Sequence, residues 1–143
     1  MEELIYYKIG EGHHQMNGFN PDFQENLFEE FGIDPATVSK IPIKVFPLSA
    51  IFQKYLPTNQ VIDFLSIDVE GLEEMVLQSN DWKVYRPIVV MIENHKPLDD
   101  LSSAQSLIDL MKTMNYRFVF KTPNEIIFLA EERTLNKSGI IEL

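Results

Sequence analysis

Two apolar runs, VIDFLSIDV from Val61 to Val69 and PIVVMIE from Pro87 to Glu93, constrain this chain more than any other feature. Strand formers without a regular polar alternation suit parallel strands covered on both faces. Between the runs, Glu70-Gly71 turns the chain directly into a helical pattern. Leu72, Met75, Val76 and Ser79 recur there at i, i+3, i+4 and i+7, so one side packs while Glu73 and Glu74 face water. A right-handed strand-helix-strand crossover then makes the two strands neighbours.

The flanking sequence supplies the remaining elements. Leu4 to Ile9 reads as a strand ending at Gly10, followed by a loop through His13, His14 and Asn17. Asn20-Pro21 starts an amphipathic helix on which Phe23, Leu27 and Phe31 recur every fourth residue up to Gly32. Ile41 to Phe46 alternates as a half-exposed strand, with Pro42 favouring an edge. Ser49 is placed to cap a helix through Tyr55 that Pro57 ends, with Ile51, Phe52 and Tyr55 on its buried side. Ser102 and Gln105 form a capping-box pattern before the stripe Leu107, Ile108, Met111 and Met114. Tyr116 to Lys121 and Glu125 to Glu131 read as two strands joined by Thr122-Pro123-Asn124. The order predicts a single α/β domain over residues 1–143, with parallel central strands and a C-terminal antiparallel hairpin.

Charge and composition narrow the partners. A formal charge of −10 and the lack of any Lys/Arg cluster speak against nucleic acid and against an anionic membrane surface. With no cysteine, disulfides, thiolate zinc sites and thiol nucleophiles are excluded together. Met1-Glu2-Glu3 does not open a signal peptide, and no apolar run approaches the ~20 residues that span a bilayer, so a cytoplasmic location is expected.

In open parallel sheets, ligands bind beyond the carboxyl ends of the strands. Here those ends carry Asp68 and Glu70 on one strand and Glu93, Asn94 and His95 on the next. Such a cluster offers carboxylates or an imidazole for acid/base work on a hydroxyl. Asp68, Glu70 and His95 could equally hold magnesium or manganese. Each residue also has a structural reading: Asp68 as a helix cap, Glu70 as complement to the helix dipole, Glu93 as partner of Lys96. His13-His14 reads as solvated loop, Phe19, Phe23, Phe28 and Phe31 as core, and Trp82 as the pin of the crossover loop. Gly10-Glu11-Gly12 is too short for a phosphate cradle and no helix follows it.

The segments IDFLSIDVEGLEEMVLQSNDW and YRPIVVMIEN, at this spacing, resemble the FkbM-type methyltransferases. The likeness extends upstream through KIPIKVFPLSAIFQKYL and more loosely to IYYKIGEGHHQMNGF. It implies a three-layer Rossmann-like sheet and methyl transfer from S-adenosylmethionine, often to a hydroxyl of a sugar or related natural product. By the same resemblance, Asp68 and Glu70 match the family's acidic pair after the fourth strand. Glu93 matches the acidic end of the fifth, and Gly71 the turn glycine. A small-molecule substrate follows.

The family's glycine-rich turn and ribose-binding acid belong to strands upstream of those matched here. The chain is thus expected to be the C-terminal portion of the fold, and to bind S-adenosylmethionine weakly when alone. Strand Val61 to Val69 should then carry an open edge, covered by a homodimer contact or by Leu4 to Ile9. Two further functions compete: a non-catalytic module that folds and dimerises, and a metal-dependent hydrolase using Asp68, Glu70 and His95.

Overall fold

The computed structural model describes residues 2–9, 17–19, 30–94, 104–135 and 141–142. The predicted helix start at Asn20-Pro21 with Phe23 and Leu27, the loop His13-His14, and Phe28, His95, Lys96 and Ser102 lie outside those residues. In chain order the elements are β1 (Glu2–Lys8), β2 (Ser39–Val45), α1 (Leu48–Tyr55), β3 (Phe64–Ile67), α2 (Glu73–Gln78), β4 (Val89–Glu93), α3 (Gln105–Thr113), β5 (Tyr116–Lys121), β6 (Glu125–Ala130), β7 (Thr134–Leu135) and β8 (Ile141–Glu142).

The result is a mixed α/β arrangement built on a four-stranded sheet in the order β3-β4-β6-β5. β3 and β4 run parallel, with Ile67 beside Ile92, while β6 runs antiparallel to both β4 and β5. β1 and β2 form a separate antiparallel ladder, and β7 and β8 pair as a third, short one. Two long apolar runs become adjacent parallel strands because the crossover through α2 is short and packs onto the sheet.

One face of the main sheet makes the core. Ile67, Val90, Ile92, Ile126, Phe128 and Tyr116 meet Leu77 of α2, Trp82 of the crossover, and Leu107 and Met111 of α3 in one buried cluster. Ile92, Ile126, Phe128 and Met111 are wholly inaccessible. Trp82 holds the crossover down through its Nε1, which donates to the Leu77 carbonyl at 2.8 Å, and through edge contact with Tyr116, ring centroids 5.3 Å apart. The α3 stripe falls as its spacing predicts: Leu107 and Met111 are buried, Ile108 and Met114 half-buried.

The opposite face is more open. β3 is four residues long and only Ile67 in it is buried, with Phe64 53% exposed. This corrects the expectation of a strand from Val61 to Val69 covered on both faces. Among the described residues β3 is a sheet edge, and Phe64 is covered over less than half of its surface. Nor does Leu4 to Ile9 cover that edge, since β1 pairs residue for residue with β2, from Glu2 opposite Val45 to Lys8 opposite Ser39. A full partner strand with its own aliphatics satisfies β1 better than four residues of β3 can.

Other departures have local causes. Phe31 is 51% exposed, and on α1 Ile51 and Tyr55 are 41% and 69% exposed. Only Phe52 of the predicted α1 face turns inward, against Tyr85 at 5.4 Å between ring centroids. Ser49 does not cap α1, which starts after Pro47 with no side-chain cap of its own. The predicted capping box of Ser102 with Gln105 lies partly outside the described residues; Gln105 opens α3 after Ala104 at the N-cap, and its side-chain amide bonds Asp109 at 2.8 Å.

The orphan N–H groups of α1 go instead to Ser79, just past α2. Leu48 N donates to Ser79 Oγ at 3.0 Å and Ser49 N to Ser79 O at 3.3 Å, while Ser79 Oγ itself donates to the Val76 carbonyl at 2.7 Å. One residue thereby caps a helix some thirty positions upstream, doing by tertiary contact what N-cap side chains do locally. Ser79→Ala is expected to lower stability by about 1 kcal/mol. A urea unfolding midpoint that falls with unchanged slope checks this.

Candidate functional site

The strand-to-helix turn after β3 is built from two successive residues in the left-handed region, Glu70 at φ +52° and Gly71 at φ +92°. Glycine takes this conformation freely, whereas a residue with a Cβ gives up about 1–2 kcal/mol there. Glu73 holds the turn closed: its Oε1 accepts from Val69 N at 3.2 Å and from Gly71 N at 3.1 Å. Glu73 therefore does not simply face water as the helical spacing predicts; two turn amides draw its carboxylate back. Asp68 is exposed, and α2 takes Leu72 as its N-cap without any side-chain cap bond, so Asp68 does not cap that helix.

Parallel pairing of β3 with β4 brings the two carboxyl ends level. Carboxylate oxygens of Asp68, Glu70 and Glu93 all lie within 4.8 Å of one another. At that separation like charges repel by about 1 kcal/mol per pair even in bulk water, so a cation is favoured there. The oxygen-only set is of the kind that magnesium or manganese takes. Asn94 follows Glu93 at the same edge, half-buried, with its N–H donating to the Asn124 carbonyl at 2.6 Å. His95 lies outside the described residues.

The hairpin turn belongs to this edge as well. Lys121 Nζ donates to the carbonyls of Asn94 at 3.0 Å and Thr122 at 3.1 Å, and Glu125 stands opposite Glu93 in the β4–β6 register. Thr122 Oγ1 donates to the Glu125 carboxylate and accepts from Glu125 N at 2.9 Å. Sequence reasoning passed over Lys121 and Glu125 because a hairpin turn is locally generic. The signal available was topological: a strand antiparallel to β4 must begin where β4 ends.

Residues 5–118 match the methyltransferase FkbM domain. The chain belongs to the FkbM methyltransferase family. No curated protein and no solved structure matches it. Within an FkbM domain, Asp68, Val69, Glu70 and Gly71 form the acidic turn and Glu93 its neighbour across the parallel pair. Family membership points to methyl transfer, for which S-adenosylmethionine is the general donor. Among the described residues of this FkbM domain, no helix is long and apolar enough to cross a membrane.

Proposed function

We propose that the protein transfers a methyl group from S-adenosylmethionine to the hydroxyl of a small molecule, a sugar or other natural product, at the acidic end of β3 and β4. The observation that carries the reading is the convergence of Asp68, Glu70 and Glu93 within an FkbM domain. Three adjacent carboxylates fit a cofactor that bears positive sulfonium and ammonium groups. S-adenosylmethionine, when bound, supplies an electrophilic methyl group. Asp68 and Glu70 would orient the acceptor hydroxyl and take up its one proton as the new O–C bond forms, the methyl leaving sulfur as the S–C bond breaks to a neutral thioether. Glu93, Asn94 and Gly71 line the bound molecules, and His95, two positions beyond Glu93 in the sequence, joins them as an alternative base.

Among the described residues the edge of β3 is open and its first residue, Phe64, is exposed, which calls for a further strand and a covering layer. We take the four-stranded sheet as part of a three-layer Rossmann-like methyltransferase sheet. A strand added to β3, from a second copy of this chain or another stretch of polypeptide, supplies the opposite wall of the cofactor site. Without that wall the chain binds the cofactor weakly.

Radiolabelled methyl donor offered with a panel of hydroxylated acceptors tests the reading. Label passing to an acceptor with the wild type, and failing to pass with Asp68→Asn, is the expected result. Transfer to no acceptor by the protein in its isolated assembly would favour the alternative, a non-catalytic methyltransferase-like module. Loss of transfer on chelation, restored by magnesium, would assign the carboxylates to a divalent cation, a role their mutual distance also suits.

A further inference from the structure

Behind the acidic turn lies a cavity of about 500 Å³ that the proton-transfer groups do not use. Its walls include Leu4 of β1, Val45 of β2, Ile51 of α1, Val69 of the turn, and Met75 and Val76 of α2. Val69 sits between Asp68 and Glu70 in the chain, so the cavity wall and the acidic turn share one stretch of backbone. Its volume is that of a ligand pocket rather than a packing defect. Ile51 and Met75 are 41% and 49% exposed, so an occupant would remove apolar surface from water.

The polar groups among the described lining residues are few. They are Lys44 and Ser79. Ser79 Oγ is committed, accepting from Leu48 N and donating to Val76 O. A carbohydrate brings several hydroxyls, each of which loses free energy if buried without a hydrogen-bond partner. Among the described lining residues, side chains offer almost no such partners. An apolar body incurs no such cost.

We propose that this cavity is the acceptor pocket, and that the methyl acceptor is a molecule with an apolar body and a hydroxyl at the turn end rather than a sugar. The inference rests on the methyl-transfer reading, whose site it extends. Among the described lining residues Lys44 is the cation, suited to a carbonyl or anionic group on an otherwise apolar ligand.

The test uses 1-naphthol and methyl glucoside as probes, read by methyl-group NMR of the intact protein. Saturable shifts of Ile51, Leu72, Met75 and Val76 with naphthol, absent with glucoside at the same concentration, are expected. Met75→Trp fills the cavity from its exposed side and should weaken naphthol binding at least tenfold, with Ile51→Trp as a second variant should the first not fold. The proposal is overturned if glucoside shifts those methyls as readily, if naphthol acts elsewhere, or if neither filling variant changes its affinity. Naphthol binding without methyl transfer to any acceptor would leave the pocket standing and remove the transfer reading. Transfer to a sugar with these methyls unmoved would do the reverse.

Discussion

Glu70→Gln is expected to leave the fold intact and to reduce methyl transfer by about 10² to 10⁴-fold, the range associated with losing a positioned proton acceptor. The substitution keeps the side-chain volume and the left-handed backbone, and removes the charge alone. Glu70→Gly is the informative companion. At φ +52° the native residue holds a conformation that glycine takes without strain. The glycine variant is therefore expected to be as stable as the wild type, or more stable by up to about 1 kcal/mol, while equally inactive. Urea unfolding and the label-transfer assay on the same preparations check the pair. An active Glu70→Gly protein would remove this carboxylate from the chemistry.

Arg86→Ala is expected to be the most damaging surface substitution, lowering stability by about 2–3 kcal/mol. The guanidinium forks onto Glu132, with Nε to Oε1 at 2.6 Å and Nη2 to Oε2 at 2.7 Å. It also donates to the carbonyls of Met114 at 2.9 Å and Asn115 at 2.8 Å, and lies 4.7 Å from the centre of the Tyr116 ring. The ion pair itself is half exposed on the Glu132 side and contributes under about 1 kcal/mol. Most of the loss comes from the two carbonyls and the ring, which tie the approach to β4 to the end of α3 and the start of β5. Arg86→Lys should recover less than half of it, because an ammonium cannot reproduce the planar fork. A thermal melt of both variants measures the difference.

The same cluster sets the pH limits of that contribution. The hydrogen bond from Arg86 holds the Glu132 carboxyl below its ordinary range. Its stabilisation is thus complete above the unfolded carboxyl value of about 4.3 and is lost as pH falls through the lower folded one. Burial pushes the Tyr116 phenol upward, and its hydroxyl donates to the Pro87 carbonyl at 2.6 Å. Unfolded tyrosine ionises near pH 10 while the folded one does not, so stability falls as pH rises beyond that point.

What the sequence made legible were features carried by local period. PIVVMIE became β4, buried at Val90 and Ile92 on one face and half-buried on the other, Leu107 and Met111 the inner face of α3, and Thr122-Pro123-Asn124 the hairpin turn. The parallel pairing of β3 with β4, and with it the meeting of Asp68, Glu70 and Glu93, followed from crossover handedness. The contacts that escaped join residues far apart in the chain. Ser79 capping α1, Lys121 holding the Asn94 carbonyl and Arg86 gripping Glu132 span 27 to 46 positions, and no local pattern encodes them. Glu73 escaped for a different reason. Helical spacing assigns it a solvent face, but the left-handed turn before it leaves amides that outbid water for its carboxylate.

The central claim is that the cofactor acts at the carboxyl ends of β3 and β4. Titrating S-adenosylmethionine to millimolar concentration into ¹⁵N-labelled protein tests it directly. The amides of Asp68, Glu70, Gly71 and Glu93 are predicted to shift first and furthest, with a dissociation constant weaker than micromolar. Unmoved amides at all four positions, or larger shifts at a remote face such as Arg86 and Glu132, would contradict it.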